Sequence, residues 1–275
     1  MFRRFEPAAV LLLCLAAALL AAGGSARPPS NETAHPEAAL ARVVYRLDET
    51  PSGRGYHYVF YGNAFFVNED GYLLTVAHLL QNFQDGGQPY ILVSRLNSPP
   101  RLLSVKVTAS DPAHDLAILE AQPNPFRSHF EVSCLPLALD PARPGQPVLA
   151  LSLHPPRLQN ARSFEAPTED RSPGSILSLE TTQLDRSASP SDVLLLTHPV
   201  VKGQSGSPVL ALTESGSPTV VVGLVEGRWL RGTALTALRI TPNQPADVPG
   251  AAIPIRHAIS LLDQQHIRWH TSPVF

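Results

Sequence analysis

The sequence predicts an all-β protein made of two antiparallel six-stranded β-barrels, followed by one C-terminal helix. Short apolar or alternating runs fill most of the chain, and turn segments such as those at 68–71 and 85–87 separate them. These runs form two batches of about six, divided near residues 139–145, which is typical of paired barrels. The one convincing helical period lies at 254–265, behind a proline in the first turn.

The predicted strands define the domain boundaries. The first batch occupies 42–47, 56–67, 72–76, 90–96, 102–109 and 116–120. The second batch occupies 147–153, 175–179, 193–197, 207–212, 220–225 and 233–240. We therefore expect a first barrel over residues 41–140 and a second over 141–275, which includes the helix and a C-terminal tail. The stretches at 156–175 and 240–250 lack such runs, so we interpret them as long surface loops.

The N-terminus has the pattern of an export signal. Arg3 and Arg4 precede an apolar run at 8–22, and the small residues at 23–26 follow it. The run is shorter than the ~20 residues that a membrane-spanning helix needs. We predict a signal peptide over 1–26 that is cleaved near Ala26, then a flexible leader over 27–40. The mature chain is expected to be secreted or periplasmic, without stable membrane insertion.

Charge and cysteine content restrict the function classes. The 275 residues include 21 Lys and Arg against 23 Asp and Glu, without a basic run that could neutralise phosphates, so nucleic acid is not expected as a partner. Cys14 lies within the predicted signal peptide, which leaves Cys134 alone and predicts no internal disulfide. No metal or cofactor is expected, because neither paired zinc-ligand spacing nor a glycine-rich phosphate loop is found.

Two segments of the first half suggest acid–base chemistry. An apolar run at 73–77 ends at His78, and a histidine held at a strand end suits a general base. Asp115 comes just before the apolar run at 116–119, so its carboxylate can be buried beside a histidine and stabilise the imidazolium. The adjacent His114 should point the other way on an extended chain, and we interpret it as a surface residue.

The second half contains a candidate nucleophile. Glycines flank Ser205 in the segment KGQSGSPVL at 202–210, which predicts a tight turn before a buried strand. In such a turn the N–H groups of Gly203 and Ser205 can converge to form an oxyanion hole.

In order and context, the segments around His78, Asp115 and Ser205 resemble the trypsin-like serine peptidases. The likeness is closer to the HtrA/Do-type protease domain without its PDZ module, on the segments GNAFFV at 62–67, GYLLT at 71–75, PGQPV at 144–148 and GAAIP at 250–254. The resemblance implies a catalytic triad in a cleft between two barrels, no cofactor, and protein or peptide substrates. The sequence departs from the family pattern at SLHPP (152–156) and at SGSP (205–208). The second of these segments is similar to the one in bacterial glutamyl endopeptidases.

The same resemblance suggests a specificity pocket. Pro199 stands six positions before the nucleophile, at the expected pocket floor, and the strand with Val225 and Glu226 forms the expected far wall. An uncharged floor predicts cleavage after aliphatic residues. We interpret Glu226 as a solvated carboxylate at a strand end; the alternative is a pocket acid that favours basic substrates. Gln204 occupies the position where zymogen-type relatives carry an aspartate that pairs with a new N-terminus, so no such activation is expected.

These features together predict an exported serine endopeptidase that hydrolyses proteins through an acyl-enzyme. Two alternatives stay open. One is a catalytically silent trypsin-like module that binds peptides or a partner protein, and the other is a protease of the glutamyl-endopeptidase type. The oligomeric state is not predicted.

Overall fold

The computed structural model describes residues 36–47, 57–85, 88–95, 98–127, 132–155, 158–160, 163–182, 190–230, 233–236 and 248–271. The predicted signal peptide and the leader up to residue 35 lie outside these ranges. The described fold includes the end of the predicted leader, because Pro36–Ala39 forms a 3₁₀ helix and Ala39 is fully buried. The Glu37 carboxylate pairs with Arg171 at 3.3 Å, which ties this segment to the second half of the chain.

Six antiparallel strands close the first barrel in the order β1-β2-β3-β6-β5-β4. They are β1 (Leu40–Leu47), β2 (His57–Phe66), β3 (Tyr72–Val76), β4 (Gln88–Arg95), β5 (Ser98–Asp111) and β6 (Leu116–Gln122). Apolar side chains from all six strands fill the interior, among them the fully buried Phe65, Leu74, Ile91 and Ile118. The first six-stranded barrel predicted from the sequence is confirmed.

The second sheet has the order β12-β7-β10-β11-β15-β13-β14, and an additional β12–β13 pairing closes its first six strands. Its strands are β7 (Pro147–Leu153), β10 (Glu169–Thr182), β11 (Ser191–Leu196), β12 (Pro208–Leu212), β13 (Pro218–Leu230), β14 (Thr233–Thr236) and β15 (Gly250–Pro254). Between β7 and β10, a small separate sheet pairs β8 (Leu158–Asn160) with β9 (Ser163–Phe164). Six strands therefore form a ring, and β14 extends it from β13.

Strand β10 corrects one sequence-based expectation. The stretch 156–175 was expected to be a surface loop, yet β10 begins at Glu169 and pairs with β7 over Glu169–Ser175. Among its side chains only Ile176 and Thr182 are buried. The strand is held by main-chain hydrogen bonds on both edges and carries little apolar periodicity, so the pattern that reveals most strands was absent here.

The C-terminal helix α1 (Ile255–Gln264) begins one residue after the predicted start, directly behind Pro254. Its apolar face buries Ile255, Ala258, Leu261 and Leu262 against the sheets. Among the described residues, no helix is long and apolar enough to cross a membrane.

A continuous apolar core connects the two barrels. Buried residues of β1–β6, of the segment at 135–138 and of the second sheet belong to one cluster. The connecting segment is fixed on both sides, because Leu135 N–H donates to the Phe66 carbonyl at 2.9 Å and Ala138 N–H donates to the Val221 carbonyl at 2.9 Å. This shared core holds the loops of the two barrels in a defined relation, on which the site depends.

Candidate active site

His78 is positioned by the end of a buried strand. Residues Leu73–Val76 of β3 are fully buried, and His78 follows as the second residue of the 3₁₀ helix Ala77–Asp85. Ala77 N–H donates to the Asp115 carbonyl at 3.0 Å, and His78 N–H donates to Asp115 Oδ1 at 2.7 Å. Main-chain hydrogen bonds therefore lock the histidine to the turn that carries Asp115.

The side chains of His78 and Asp115 form a buried pair. His78 Nδ1 lies 2.6 Å from Asp115 Oδ2, and the side chains are 4% and 10% exposed. Asp115 itself has a positive φ of 53°, a left-handed conformation that aspartate tolerates better than most residues. The left-handed turn lets one residue accept from Ala77 with its main chain and from His78 with its carboxylate.

The neighbouring His114 is directed elsewhere, as expected. Its Nδ1 lies 2.6 Å from Asp111 Oδ2, and its ring stacks on that of His257 in α1 with centroids 4.2 Å apart. The interpretation as a surface residue was too simple, because His114 is half-buried and forms part of a contact with α1.

Ser205 lies in a turn that only glycine neighbours permit. Gly203 has a φ of 95° and Gly206 a φ of 80°, both in the left-handed region. A Cβ atom on Gly206 would lie 2.0 Å from the Asn63 carbonyl oxygen. A side chain at this position would therefore prevent the close approach of the turn to Asn63. Asn63 N–H donates to the Ser205 carbonyl at 2.8 Å, which joins the turn to β2 of the first barrel.

The Ser205 hydroxyl donates to the main-chain carbonyl of Glu226 at 3.1 Å. His78 Nε2 is buried and has no hydrogen-bond partner among the described residues. The hydroxyl therefore points to the main chain of β13 in this structure, and the acceptor position of the imidazole stays open. Within the described part of the chain, the N–H groups of Gly203 and Ser205 likewise have no acceptor.

Two residues that sequence analysis overlooked hold the Gly203 peptide. Arg42 Nη1 donates to the carbonyls of Gly203 at 2.8 Å and Leu153 at 2.7 Å, and Asn63 Nδ2 donates to the Gly203 carbonyl at 2.9 Å. Arg42 is 1% exposed, and burial lowers its pKa to about 10. A signal was available, because Arg42 is a charged residue in phase with the apolar Leu40 and Val44 of β1.

Gln204, the residue before the serine, is held by the body of the second barrel. Its Nε2 donates to Asp170 Oδ2 at 2.9 Å and to Ser172 Oγ at 3.3 Å, and its Oε1 accepts from Val201 N–H at 2.9 Å. The side chain is 5% exposed, and all its hydrogen-bonding atoms have partners within the fold.

The structure corrects the interpretation of Glu226 as solvated. Glu226 is fully buried, and neither carboxylate oxygen has a hydrogen-bond partner among the described residues. Its carboxylate oxygen, a ring nitrogen of His78 and a carboxylate oxygen of Asp115 all lie within 4.8 Å of one another. Burial and, secondarily, the negative charge of Asp115 raise the pKa of Glu226 well above its ordinary value. The sequence interpretation placed Glu226 at the end of a strand, whereas β13 continues to Leu230 and Glu226 lies at a break in its pairing with β15.

The other predicted pocket residues have different environments. Pro199 is exposed in the loop after β11, and Val225 is fully buried. Val225 pairs with the turn that contains Ser205, donating to the Ser207 carbonyl at 2.8 Å and accepting from Gly206 N–H at 2.8 Å. Their roles in a substrate pocket stay predictions.

Two groups of side chains in the described ranges have donor atoms close enough to hold a metal ion. One is the group of His78, Asp115 and Glu226; the other contains Glu69, Cys134 and His270. Spacing along the chain could not reveal the second group, since its members come from three distant segments. There, His270 Nε2 already lies 2.8 Å from Glu69 Oε2. The prediction that the protein needs no metal is untested.

The chain resembles known proteins. Residues 62–224, which include His78, Asp115 and Ser205, match the trypsin-like peptidase domain. The chain belongs to the trypsin-like peptidase family. The resemblance inferred from the sequence is thereby confirmed at the level of the family, while the catalytic roles of individual residues are not tested by it. A comparison with curated proteins returned no significant match.

Solved structures of similar fold include several proteases. The HtrA-type protease AlgW with a decapeptide has a TM-score of 0.55 and 18% identity, covering 83% of this chain and 64% of AlgW. The active form of the Rv3671c protease from M. tuberculosis has a TM-score of 0.55 and 19% identity, with coverage of 98% and 95%. The MamO protease domain from Magnetospirillum magneticum has a TM-score of 0.52 and 20% identity, with coverage of 84% and 98%. This chain spans under two thirds of the AlgW chain. Sequence identities of 18–20% show that the folds are similar and nothing more.

Proposed function

We propose that this trypsin-like peptidase is an exported serine endopeptidase in which Ser205 is the nucleophile, His78 the general base and Asp115 the residue that orients it. The observation that carries the proposal is the buried 2.6 Å contact between His78 Nδ1 and Asp115 Oδ2. Glu226 links this pair to the serine, since its carbonyl accepts the Ser205 hydroxyl and its side chain lies within 4.8 Å of His78. The charged and apolar N-terminal segment supports export.

The proposed reaction begins when the Ser205 hydroxyl leaves the Glu226 carbonyl and donates to His78 Nε2. Ser205 Oγ then attacks the scissile carbonyl carbon while Nε2 takes the proton, and Asp115 stabilises the imidazolium through Nδ1–H. The free N–H groups of Gly203 and Ser205 stabilise the oxyanion of the tetrahedral intermediate.

Collapse of that intermediate breaks the peptide C–N bond, and His78 gives its proton to the departing amine. The acyl group stays on Ser205 as an ester. Water then attacks the ester with His78 again taking the proton, and the carboxylic acid product leaves as Ser205 recovers its hydrogen.

Ser205→Ala should abolish peptide hydrolysis and labelling by a fluorophosphonate probe, with little change in melting temperature. Loss of such a nucleophile lowers turnover on the order of a millionfold. Ser207→Ala is the matched control, because the Ser207 hydroxyl is buried two residues away and has no partner among the described residues. The Ser207→Ala variant should keep both peptide hydrolysis and labelling by the probe.

Other results of these experiments would favour other functions. Labelling that survives in Ser205→Ala would place the nucleophile elsewhere. A folded wild-type protein that neither reacts with the probe nor cleaves any peptide in a library would favour the silent binding module. Cleavage confined to bonds after glutamate would favour the glutamyl-endopeptidase type.

A further inference from the structure

Glu226 is a buried acid beside the candidate catalytic pair, and nothing in the mechanism above uses its side chain. It lies on β13 at a break in the pairing with β15: Val225 pairs with Ala252 and Gly227 pairs with Ala251, so Glu226 is the extra residue of a β-bulge. Bulges redirect a side chain and are enriched next to active sites. This bulge directs the Glu226 carbonyl to the Ser205 hydroxyl and brings the carboxyl group to the pair.

The surroundings of Glu226 contain few charged groups. His78, on the 3₁₀ helix after β3, and Asp115, in the turn before β6, each have a side-chain atom within 4.8 Å of its carboxylate. The strands paired with β13 are β12, β14 and β15, and their sequences PVLAL, TALT and GAAIP contain no titratable residue. Arg228, two positions along β13, donates through Nε to the Val200 carbonyl at 2.6 Å.

Two carboxyl groups this close and this deeply buried cannot both be ionised, so one keeps its proton. Asp115 has the partners that favour the charged form, because its two oxygens accept from His78 N–H at 2.7 Å and contact Nδ1 at 2.6 Å. Glu226 has none, and its burial together with the charge of Asp115 raises its pKa. The proton therefore belongs on Glu226.

We propose that Glu226 is a neutral carboxylic acid that acts as a positioning residue for the His78–Asp115 pair. A small change in its side-chain torsion angles lets its O–H donate to the Asp115 carboxylate. This hydrogen bond fixes the Asp115 carboxylate and leaves a single negative charge to balance the imidazolium. The catalytic part of this inference rests on the proposed function; the protonation of Glu226 does not.

The kinetic test compares Glu226→Leu, Glu226→Gln and wild type on one peptide substrate between neutral and alkaline pH. Glu226→Leu keeps the volume and loses the donor, so kcat should fall about 10- to 100-fold, as for a lost hydrogen bond to a charged group, with KM little changed. Glu226→Gln keeps a donor and should recover kcat to within about tenfold of wild type. The wild-type rate should fall at alkaline pH as Glu226 ionises, and Glu226→Gln should lack that fall.

Infrared spectroscopy of the protonated carboxyl C=O stretch tests the neutral acid without any activity. The wild-type spectrum at neutral pH should contain a band that is lost in Glu226→Gln and kept in Glu214→Gln, a control at an exposed turn residue. If the band is present but no peptide is cleaved, the proposed function fails and the neutral acid stands.

Absence of the band, or an alkaline limb identical in wild type and Glu226→Gln, would overturn the proposal. So would a cleavage profile in which wild type prefers Arg or Lys and Glu226→Gln loses that preference, because Glu226 would then be a charged pocket residue.

Discussion

Arg42 is the residue whose placement is hardest to explain by stability alone. A buried guanidinium loses its hydration, and its acceptors among the described residues are two main-chain carbonyls rather than a carboxylate. With a pKa of about 10 it is still a cation at neutral pH. Its placement orients one peptide group, because Arg42 and Asn63 both donate to the Gly203 carbonyl. We infer that this keeps the Gly203 N–H available for an oxyanion.

Arg42→Met should lower kcat about tenfold with KM little changed, since the Gly203 carbonyl would lose its charged donor but keep Asn63. Methionine fills a similar volume and removes the buried charge, so the melting temperature should change by no more than a few degrees. Steady-state kinetics and thermal unfolding measure the two effects.

Arg46→Met is the matched control for that substitution. Arg46 lies on the same strand, 5.0 Å from the Tyr90 ring and away from the Gly203 turn. Replacement of Arg46 should change the melting temperature and leave kcat unchanged. Equal kcat in the wild type and Arg42→Met would show that Asn63 alone positions the Gly203 peptide.

At the scale of elements, the turn with Ser205 is held from three directions. Asn63 of β2 bonds its main chain, Val225 of β13 pairs with Ser207, and the Gln204 side chain bonds Asp170 and Ser172 of β10. Within the described residues, these hydrogen bonds already fix the turn. That no zymogen-type activation is needed stays a prediction from the uncharged Gln204.

Chains that begin at Arg27, Ser30 or Thr33 should have kcat/KM values within about twofold of one another, because Gln204 draws its partners from β10 rather than from a new N-terminus. Gln204→Leu should lower kcat in all three, since the turn loses the hydrogen bonds of this side chain. Activity in only one of the trimmed forms would contradict this prediction.

At the scale of the whole molecule, the helix α1 contacts the first barrel. The stacked rings of His114 and His257 connect α1 to the turn that bears Asp115, and Asp111 anchors His114. Burial, then His114 and Arg256, lowers the pKa of His257 to about 4. His257 is thus neutral in the folded protein at pH values where the unfolded chain takes up a proton.

The sign of this linkage predicts a loss of stability in acid. Between the unfolded pKa of about 6.5 and the folded pKa of about 4, the unfolded chain binds more protons, so the free energy of unfolding falls as pH falls. His257 is half-buried, and after allowance for solvent screening we expect a loss of about 1 kcal/mol.

Urea unfolding of wild type and His257→Gln at neutral pH and near pH 5 measures that loss as a difference between the two proteins. The variant should lose less stability than wild type over the same interval. A parallel loss in both would assign the acid sensitivity to other groups.

The amino-acid sequence by itself determined the features that follow from local pattern. Apolar runs between turn residues predicted most strands, the apolar face at 255–262 predicted the helix, and the glycines around Ser205 predicted a tight turn. His78 and Asp115 could be selected because each directly adjoins a buried strand. In each case the signal lies within a few residues, where backbone geometry and hydrophobic periodicity act.

Only the tertiary structure decided the features that arise between distant segments. The strand β10 is held by its neighbours rather than by its own apolar content, and Arg42 finds its acceptors more than a hundred positions away along the chain. Glu226 becomes a buried acid because a bulge against β15 redirects it toward Asp115. Pairing register and burial are set by which segments meet in the folded chain, and no single stretch of sequence contains that information.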